Sequence, residues 1–212
     1  MPKLYKGILI AVEGIDGSGK STLAHNLFTL LEQEGFDIIL TKEPGASALG
    51  KEIRKLIQTQ TIPLTPRAEY LLFAADRAQH FDELIIPNLT KKKFIISDRM
   101  SDSSLAYQGY GNGLDLKELH SINNWTMRNI IPDLTIFVRI PVTIALERAK
   151  NRGPLSAYEK RENFLQHVAD GFEELYKNNK NVIIVNGIES SEIVTKETYT
   201  KIKQWLTTTK YI

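Results

Sequence analysis

The chain has 212 residues, with 27 lysines and arginines against 25 aspartates and glutamates, so its formal net charge is only +2. A balance this close to neutral gives no reason to expect nucleic acid as a partner. The lack of cysteine excludes disulfides, thiolate metal sites and a cysteine nucleophile. No segment resembles a signal peptide or reaches the ~18 apolar residues of a membrane span, so we expect a cytoplasmic protein without a membrane partner.

Short apolar runs alternate with segments of helical periodicity along the whole chain. In chain order, the predicted elements are a strand at 7–12, a helix at 20–34, a strand at 36–40, a turn at 43–45, a helix at 49–57, one or two helices at 66–91 with a kink or break at Pro87, a strand at 94–98, a helix at 114–129, a strand at 134–140, a helix at 142–151, a polar loop at 152–158, a helix at 159–178, a strand at 182–185 and a helix at 191–208. This alternation predicts an α/β fold in one domain over residues 1–212, a five-stranded parallel sheet flanked by helices.

A glycine-rich segment joins the first predicted strand to the first predicted helix. Residues 14–21, Gly-Ile-Asp-Gly-Ser-Gly-Lys-Ser, fit the P-loop pattern G-x-x-x-x-G-K-[ST]. Its glycines let backbone N–H groups turn around a phosphate, and the helix that follows points its positive dipole end at the same oxygens. The nucleotide-binding residues predicted here are Gly14, Ile15, Asp16, Gly17, Ser18, Gly19, Lys20, Ser21 and Thr22.

A carboxylate closes the predicted strand at 94–98. Asp98 has the position of a Walker B aspartate, beside the P-loop at the sheet edge. Asp98 and the hydroxyl of Ser21 are therefore the predicted Mg²⁺ ligands, with ATP as co-substrate and Lys20 on its β- and γ-phosphates. The sequence lacks a guanine-reading N-K-x-D element and an ABC signature. A fold like those of P-loop NTP hydrolases and nucleoside monophosphate kinases is expected.

Five stretches resemble the thymidylate kinase family, and they follow the order found in that family. They are residues 13–22, residues 41–45, residues 70–77, residues 98–100 continuing to 104–109, and residues 132–135 with 148–153. The Glu-Pro-Gly turn at 43–45 and the Asp-Arg segment with its downstream Tyr-Gln-Gly are the more specific parts. The resemblance implies transfer of the γ-phosphate of ATP to dTMP, giving dTDP for dTTP synthesis, by a homodimer.

The resemblance also implies roles for residues that hold the sugar and phosphate of dTMP. Asp16 matches the acidic residue that binds the 3′-hydroxyl, and Tyr107 the residue that crowds the ribose 2′ position. Arg99 matches the arginine that holds the acceptor phosphate. A monophosphate dianion suits a bidentate guanidinium, so the chemistry of Arg99 agrees with this role.

Four further residues are expected at the base of dTMP. Phe73 matches the aromatic residue that stacks on thymine, and Arg77 the arginine that reaches the pyrimidine edge. Ser104 lies where family members carry a small polar residue near the base, and Gln108 belongs to the same matching segment. Phe73 could otherwise be a core residue, and the two arginines could otherwise be surface ion pairs.

The lid, taken as residues 148–161, departs from the family pattern. Some members carry a basic residue right after the P-loop acid, where this chain has Gly17, so the catalytic cation is expected from the lid. The candidates are Arg148, Arg152, Lys160 and Arg161, with Arg152 preferred, Arg161 second, and Arg148 also assigned to nucleotide binding. Ser156 and Ala157 fall where some members have a charged residue. A lid arginine on the transferring phosphoryl group can be worth ~10³–10⁵ in rate.

Two other functions compete with dTMP phosphorylation. A kinase for another deoxynucleotide or for a deoxynucleoside would share the P-loop, although a nucleoside kinase would have no need for Arg99 at an acceptor phosphate. A nucleotide-binding switch without transfer activity would be expected to show a damaged P-loop or to lack the acceptor arginine. Both features are intact in this sequence.

Overall fold

The computed structural model describes residues 4, 6–59, 62–153, 158–159, 161–209 and 211. Its elements in chain order are β1 (Ile8–Glu13), α1 (Lys20–Gln33), β2 (Ile38–Lys42), α2 (Ala48–Thr59), α3 (Pro66–His80), α4 (Ile86–Thr90), β3 (Phe94–Asp98), α5 (Ser101–Ser104), α6 (Leu116–Thr126), β4 (Leu134–Arg139), α7 (Val142–Arg152), α8 (Glu162–Tyr176), β5 (Val182–Asn186) and α9 (Ser191–Thr208). Two π-helical segments, Phe81–Ile85 and Leu105–Gly111, extend α3 and α5. Within these ranges no helix is both long and apolar enough to cross a membrane.

The five strands form one parallel sheet in the order β2-β3-β1-β4-β5, which confirms the predicted architecture. Val12 and Lys42 both pair with Asp98 in the register, so β1, β2 and β3 end level with one another. The order reverses around the central strand β1, and ligands of open α/β sheets bind outside the carboxyl ends of the strands at such a point.

Helices cover both faces of the sheet because successive side chains of the buried strands point to opposite sides. Ile10 of β1 belongs to a core cluster that includes Leu27 of α1. Its neighbour Leu9 belongs to a different cluster, which includes Phe81 and Ile85. Both layers hold β1 in a fixed position, and with it the P-loop that follows.

The boundaries of several elements differ from the predictions for local reasons. The helical stretch expected at 66–91 is continuous, because the π-helical segment ahead of Pro87 accommodates the proline without a break. The helix predicted from 114 begins at Leu116, where Asp115 accepts hydrogen bonds from the first turn, and it ends before Arg128 and Asn129, which have positive φ. The strand expected from Phe36 begins at Ile38.

The helical segment 101–111 was not predicted. It combines one short α-helical turn with a π-helical segment that contains Gly109 and Gly111, residues that usually indicate a loop. Tight packing against α8 explains the glycine at 111, since a Cβ there would lie 2.6 Å from the ring of Phe164. Tertiary contacts therefore determine the structure of this segment more than local propensity does.

Candidate active site

A cavity of about 940 Å³ opens at the carboxyl edge of the sheet. It is lined by the P-loop, the ends of β2 and β3, and residues of α2, α3, α7 and the segment 101–111. All of the predicted site residues line it except Gly14, Ile15, Ser18 and Arg161. Residues that lie far apart in the sequence thus meet around one cavity.

A smaller cavity of about 140 Å³ lies on the other side of the P-loop. Ser18, Thr22 and Arg148 contribute to its lining, together with the loop after β5. Arg148 donates hydrogen bonds to the carbonyl oxygens of Gly187 (2.7 Å) and Ile188 (3.1 Å). Arg148 lines both cavities, so its guanidinium lies beside the P-loop on the side away from β2.

The P-loop has a backbone that only glycine satisfies at key positions. Gly19 has φ 93° and caps α1 without a side-chain hydrogen bond, which leaves the first N–H groups of the helix for an anion. Gly17 has φ +82°, and a Cβ there would lie 2.4 Å from the carbonyl oxygen of Ala145. This close approach excludes a side chain at the position where some relatives place a basic residue. The buried hydroxyl of Ser18 has no partner among the described residues, as expected of a group that awaits a ligand.

Lys20 is buried at the start of α1. Its Nζ lies 3.4 Å from both the carbonyl oxygen of Ile15 and the carboxylate of Asp16. Burial, together with the positive charge of Arg99, lowers the pKa of the Lys20 ammonium group. Contacts this long are weak, so the ammonium group can turn to phosphate oxygens.

Ser21 of the P-loop and Asp98, the predicted Walker B aspartate, lie next to each other. The Ser21 hydroxyl donates to Oδ2 of Asp98 over 2.5 Å. The other carboxylate oxygen, Oδ1, is buried and has no hydrogen-bond partner in the described part of the chain. A hard divalent cation prefers such oxygens, so the two residues fit Mg²⁺. No group of three or more acidic, His or Cys side chains that could hold a metal ion is found among the described residues.

Arg99 occupies an unusual backbone conformation, with φ 72°. Its N–H donates to the carbonyl oxygen of Val12 (3.0 Å), and its own carbonyl accepts from the Ser97 hydroxyl (2.7 Å). The guanidinium donates to the carbonyl oxygen of Gly14 (3.1 Å) and to Asp16 (2.6 Å). A non-glycine residue keeps this strained conformation only when its surroundings enforce it, which is common at functional sites.

Asp16 and Tyr107 lie against Arg99. The Tyr107 hydroxyl donates to the Asp16 carboxylate (3.2 Å) and accepts from the Asp16 N–H (2.9 Å) and from Arg99 (3.3 Å). Burial opposes ionisation of Asp16, but the charges of Arg99 and Lys20 prevail and hold the pKa of its carboxyl below the usual range. The site therefore combines two cations with an ionised acceptor at the cavity wall.

Glu13, the last residue of β1, supports this arrangement from behind. Its carboxylate accepts hydrogen bonds from the N–H groups of Met100 (2.7 Å) and Ser103 (3.3 Å) and from the Ser103 hydroxyl. Ser103 in turn accepts from Arg99 (2.7 Å). Burial, reinforced by the nearby carboxyl of Asp102, raises the pKa of Glu13 to about 8. Glu13 was not predicted as a site residue, although it directly precedes the P-loop.

Arg77 is almost completely buried in the wall of the cavity. Its Nε donates to Glu43 (2.9 Å), one Nη1 hydrogen to Asn123 (2.7 Å), and Nη2 to Ser104 (2.9 Å) and to the Met100 carbonyl (3.5 Å). A guanidinium has five N–H donors, and four of them find acceptors among the described residues, so one hydrogen on Nη1 remains for a ligand. The structure excludes the alternative that Arg77 belongs to a surface ion pair.

Glu43, whose role the sequence left open, is the buried counter-ion of Arg77. It also contacts Nδ1 of His80 (3.0 Å), and Nε2 of His80 lies 2.8 Å from the Thr41 hydroxyl. Burial alone would raise the pKa of Glu43, but the charge of Arg77 and the contact with His80 together outweigh it and hold the pKa below its ordinary value. The turn at 43–45 thus anchors the arginine expected at the base.

Phe73 and Gln108 complete the wall on the side of Arg77. Phe73 is half-buried on α3, and Gln108, in the segment 105–111, is buried. Both line the large cavity, as Ser104 does. Asn123, in the middle of α6, was not predicted as a site residue, because only the folded chain brings it to Arg77 and Ser101.

The structure separates the candidate lid cations. Arg152, at the end of α7, lines the large cavity and donates to the buried carboxylate of Glu159 (2.6 Å), while 63% of its side chain stays exposed. Arg161 lies apart from the cavity lining, with its guanidinium 4.4 Å from the ring centre of Phe164. Lys160, Ser156 and Ala157 lie outside the described residues.

A family model, curated relatives and a solved structure that are similar to this chain all carry the same description. The model of the family described as thymidylate kinase matches residues 12–198. A thymidylate kinase of Halothermothrix orenii is 41% identical over 202 residues, covering 93% of this chain and 97% of the relative. A thymidylate kinase of Carboxydothermus hydrogenoformans is 43% identical over 176 residues, covering 82% of this chain and 87% of the relative. The crystal structure of thymidylate kinase from Ehrlichia chaffeensis matches with a TM-score of 0.77 at 30% identity, covering 93% of this chain and 99% of that one. The matches extend over the P-loop and both walls of the cavity, and the chain belongs to the thymidylate kinase family.

Proposed function

We propose that the residues around the large cavity transfer the γ-phosphoryl group of ATP to the phosphate of dTMP. As a member of the thymidylate kinase family, the chain phosphorylates dTMP to dTDP. In the donor half of the site, the P-loop N–H groups and Lys20 bind the β- and γ-phosphates, and Arg148 lies beside the purine. Mg²⁺ held by Ser21 and Asp98 supplies charge neutralisation on the phosphates when it is bound.

The acceptor half holds the sugar and phosphate of dTMP. Arg99 grips the monophosphate through charge-assisted hydrogen bonds, and Asp16 accepts a hydrogen bond from the 3′-hydroxyl. Tyr107 closes the space beside the ribose 2′ position. The bonds from Arg99 and Tyr107 to Asp16 support this arrangement, because they fix all three groups relative to one another.

The base lies between Phe73 and the group formed by Arg77, Ser104 and Gln108. Phe73 stacks on the thymine ring, and the free Nη1 hydrogen of Arg77 is donated to its O4. Ser104 contributes by orienting Arg77, from which its hydroxyl accepts a hydrogen bond. The burial of Arg77 beside Glu43 supports this role, since a desolvated donor rejects a base that offers it no acceptor.

Arg152 supplies the lid cation on the transferring phosphoryl group, within a lid that comprises residues 148–161. An oxygen of the acceptor phosphate attacks the γ-phosphorus in line, and the bond to the β,γ-bridging oxygen breaks. Lys20 and Arg152 neutralise the charge on the transferred group and on the ADP that leaves. The exclusion of a side chain at Gly17 supports a cation from the lid, and Arg161 is the second candidate if the lid rearranges.

One observation carries the proposal: the strained, multiply bonded Arg99 lies between the P-loop and the acceptor wall. There it can hold an acceptor phosphate in contact with the γ-phosphate bound at Lys20. Such positioning, with little covalent participation of the protein, is the main source of catalysis in phosphoryl transfer.

The experiment is to measure ADP release from ATP and Mg²⁺ with dTMP, dUMP, dCMP, dGMP, UMP or thymidine as the acceptor. We expect strong turnover with dTMP, weaker turnover with dUMP, and almost none with UMP or thymidine. A preference for thymidine or for a purine acceptor would overturn the acceptor-site assignments. No transfer to any acceptor would favour a nucleotide-binding module instead.

We further propose that the chain acts as a homodimer in the cytoplasm. The support is a set of exposed apolar side chains on three helices, of which α3 packs against both α2 and α6. Leu49 on α2 is 47% exposed, Leu71 on α3 is 55% exposed, and Trp125 on α6 is 78% exposed. Burial of such side chains against a second copy would stabilise a two-fold assembly. Sedimentation equilibrium of the protein and of a Trp125→Glu variant tests this, and a monomer at micromolar concentration would contradict it.

A further inference from the structure

We infer that Glu69 determines which pyrimidine the acceptor site accepts, by fixing the orientation of the Gln108 amide. This inference rests on the proposed function, in which Gln108 contacts the base. Glu69 itself lies behind the cavity wall and is not among the residues that line the cavity. It is therefore a positioning residue rather than a contact of the substrate.

Glu69 is held firmly at the first turn of α3. Its N–H donates to the carbonyl oxygen of Thr65 (2.9 Å), and the Thr65 hydroxyl caps the same turn by accepting from Ala68 (3.4 Å). The positive end of the helix dipole favours a carboxylate at this place. The backbone position of Glu69 is thus set by the first turn of the helix.

The Glu69 carboxylate receives two donors on one oxygen, Oε1. The amide nitrogen of Gln108 donates to it over 2.9 Å, and the hydroxyl of Tyr158 donates to it as well. A carboxylate has acceptors only, so it can face the Nε2 end of an amide but not its oxygen. The Gln108 nitrogen is therefore engaged outside the cavity, and its amide oxygen is the polar atom left for the cavity.

An amide oxygen at this position distinguishes two kinds of base. Thymine and uracil carry an N3–H donor beside the O4 acceptor, whereas cytosine carries an unprotonated N3 acceptor beside an N4 amino donor. The Gln108 oxygen accepts from N3–H while Arg77 donates to O4, so the pair matches the thymine pattern. Cytosine would place an acceptor against the Gln108 oxygen and a donor against Arg77, and sites built on such hydrogen bonds discriminate strongly.

The variant Glu69→Gln tests the role of the carboxylate with almost no change of volume. The new amide can donate to the Gln108 oxygen, so it allows the Gln108 amide to reverse and present its N–H₂ group to the cavity. The substrates to compare are dTMP and 5-methyl-dCMP, which differ only at N3 and C4. We expect the ratio of kcat/KM for dTMP over 5-methyl-dCMP to fall at least roughly tenfold.

Two matched variants separate this effect from others. Tyr158→Phe removes the second donor to Glu69 and the long contact of the Gln108 nitrogen with the Tyr158 hydroxyl (3.5 Å), but it leaves the shorter hydrogen bond from Gln108 to Glu69 (2.9 Å). Since that bond still orients the amide, the variant should change turnover of both substrates by the same factor. Glu32→Gln makes the same chemical change at an exposed position of α1 and should leave both kcat/KM values within about twofold, as most surface substitutions do. If Glu69→Gln fails to fold, Glu69→Ala serves instead, because it also removes the acceptor that orients the amide.

The outcomes are distinct. An equal fall in kcat/KM for both substrates, with an unchanged ratio, would show that Glu69 only supports the fold and would overturn the inference. A fall in the ratio for Tyr158→Phe as large as that for Glu69→Gln would assign the selectivity to the lid and would also overturn it. If Gln108→Ala leaves the ratio unchanged, Gln108 does not contact the base, and the base-site assignment of the proposed function fails instead.

Discussion

The buried carboxyl group of Glu13 should make the stability of the protein depend on pH in a way that one substitution removes. Its pKa is raised from 4.5 to about 8, chiefly by burial. The folded chain therefore binds more protons than the unfolded chain between about pH 4.5 and 8, and stability falls as the pH rises through that window. A separation of about 3.5 pH units corresponds to about 5 kcal/mol over the whole window.

The Glu13→Gln variant cannot ionise and should lose this dependence. The amide oxygen can still accept from the N–H groups of Met100 and Ser103, so the local structure is retained. The free energy of unfolding of the variant should therefore rise relative to that of the natural protein by up to ~1.4 kcal/mol per pH unit between pH 5 and 8.

Urea unfolding at pH 5, 6, 7 and 8 measures this difference, because the contributions of other ionisable groups cancel between the two proteins. The Glu32→Gln variant is the control, because it makes the same chemical change at an exposed position of α1. If the difference in the free energy of unfolding between Glu13→Gln and the natural protein stays constant or shrinks as the pH rises, the pKa of Glu13 is not raised. That result would mean that the hydrogen bonds from Met100 and Ser103 outweigh burial and keep the carboxylate ionised.

Two predictions concern catalysis. Lys20→Ala should abolish ADP release while the circular dichroism spectrum stays that of a folded protein. Near-normal turnover by this variant would contradict the assignment of the P-loop as the ATP-binding site. Arg152→Ala should lower kcat at least roughly tenfold with little change in dTMP affinity, as expected for a contact made in the transition state. A loss confined to dTMP affinity, measured by calorimetry, would remove Arg152 from the catalytic role.

The features that could be predicted from the sequence are those encoded in short segments. The P-loop is contiguous, so its glycines and Lys20 predict both a local backbone and a ligand, and the alternation of elements predicts the parallel sheet. Asp98 was found in the same way, since it ends a buried strand. The structure confirms the sheet, and it brings Ser21 and Asp98 within hydrogen-bond distance.

The parts that could not be predicted depend on contacts between distant segments. Two of the partners of Arg77 are Glu43, which is 34 residues away, and Asn123, which is 46 residues away. Glu13 reaches Ser103 across 90 residues, and nothing in its own segment indicates that contact. Family resemblance can point to Arg77 as a base-binding residue, but its burial and its single free donor required the folded structure.

The positions of the candidate lid cations could not be predicted from the sequence either. The sequence offers several cations between 148 and 161 in one polar stretch, and spacing alone does not separate them. The structure places Arg148 and Arg152 at the cavity and Arg161 over an aromatic ring outside it. Those placements follow from where α7 ends and α8 begins, which is decided by packing.

Calorimetric titration of dTMP and of thymidine into the natural protein and into Arg99→Met shows directly whether Arg99 holds the acceptor phosphate. If Arg99 holds the acceptor phosphate, its loss should weaken dTMP about 10- to 100-fold, as for a hydrogen bond to a charged group, and leave thymidine nearly unchanged. The Arg99→Lys variant keeps the positive charge but loses the bidentate donor geometry of the guanidinium. Its affinity for dTMP should therefore lie between those of the natural protein and Arg99→Met. Equal weakening of dTMP and thymidine, or no weakening of either, would contradict the account.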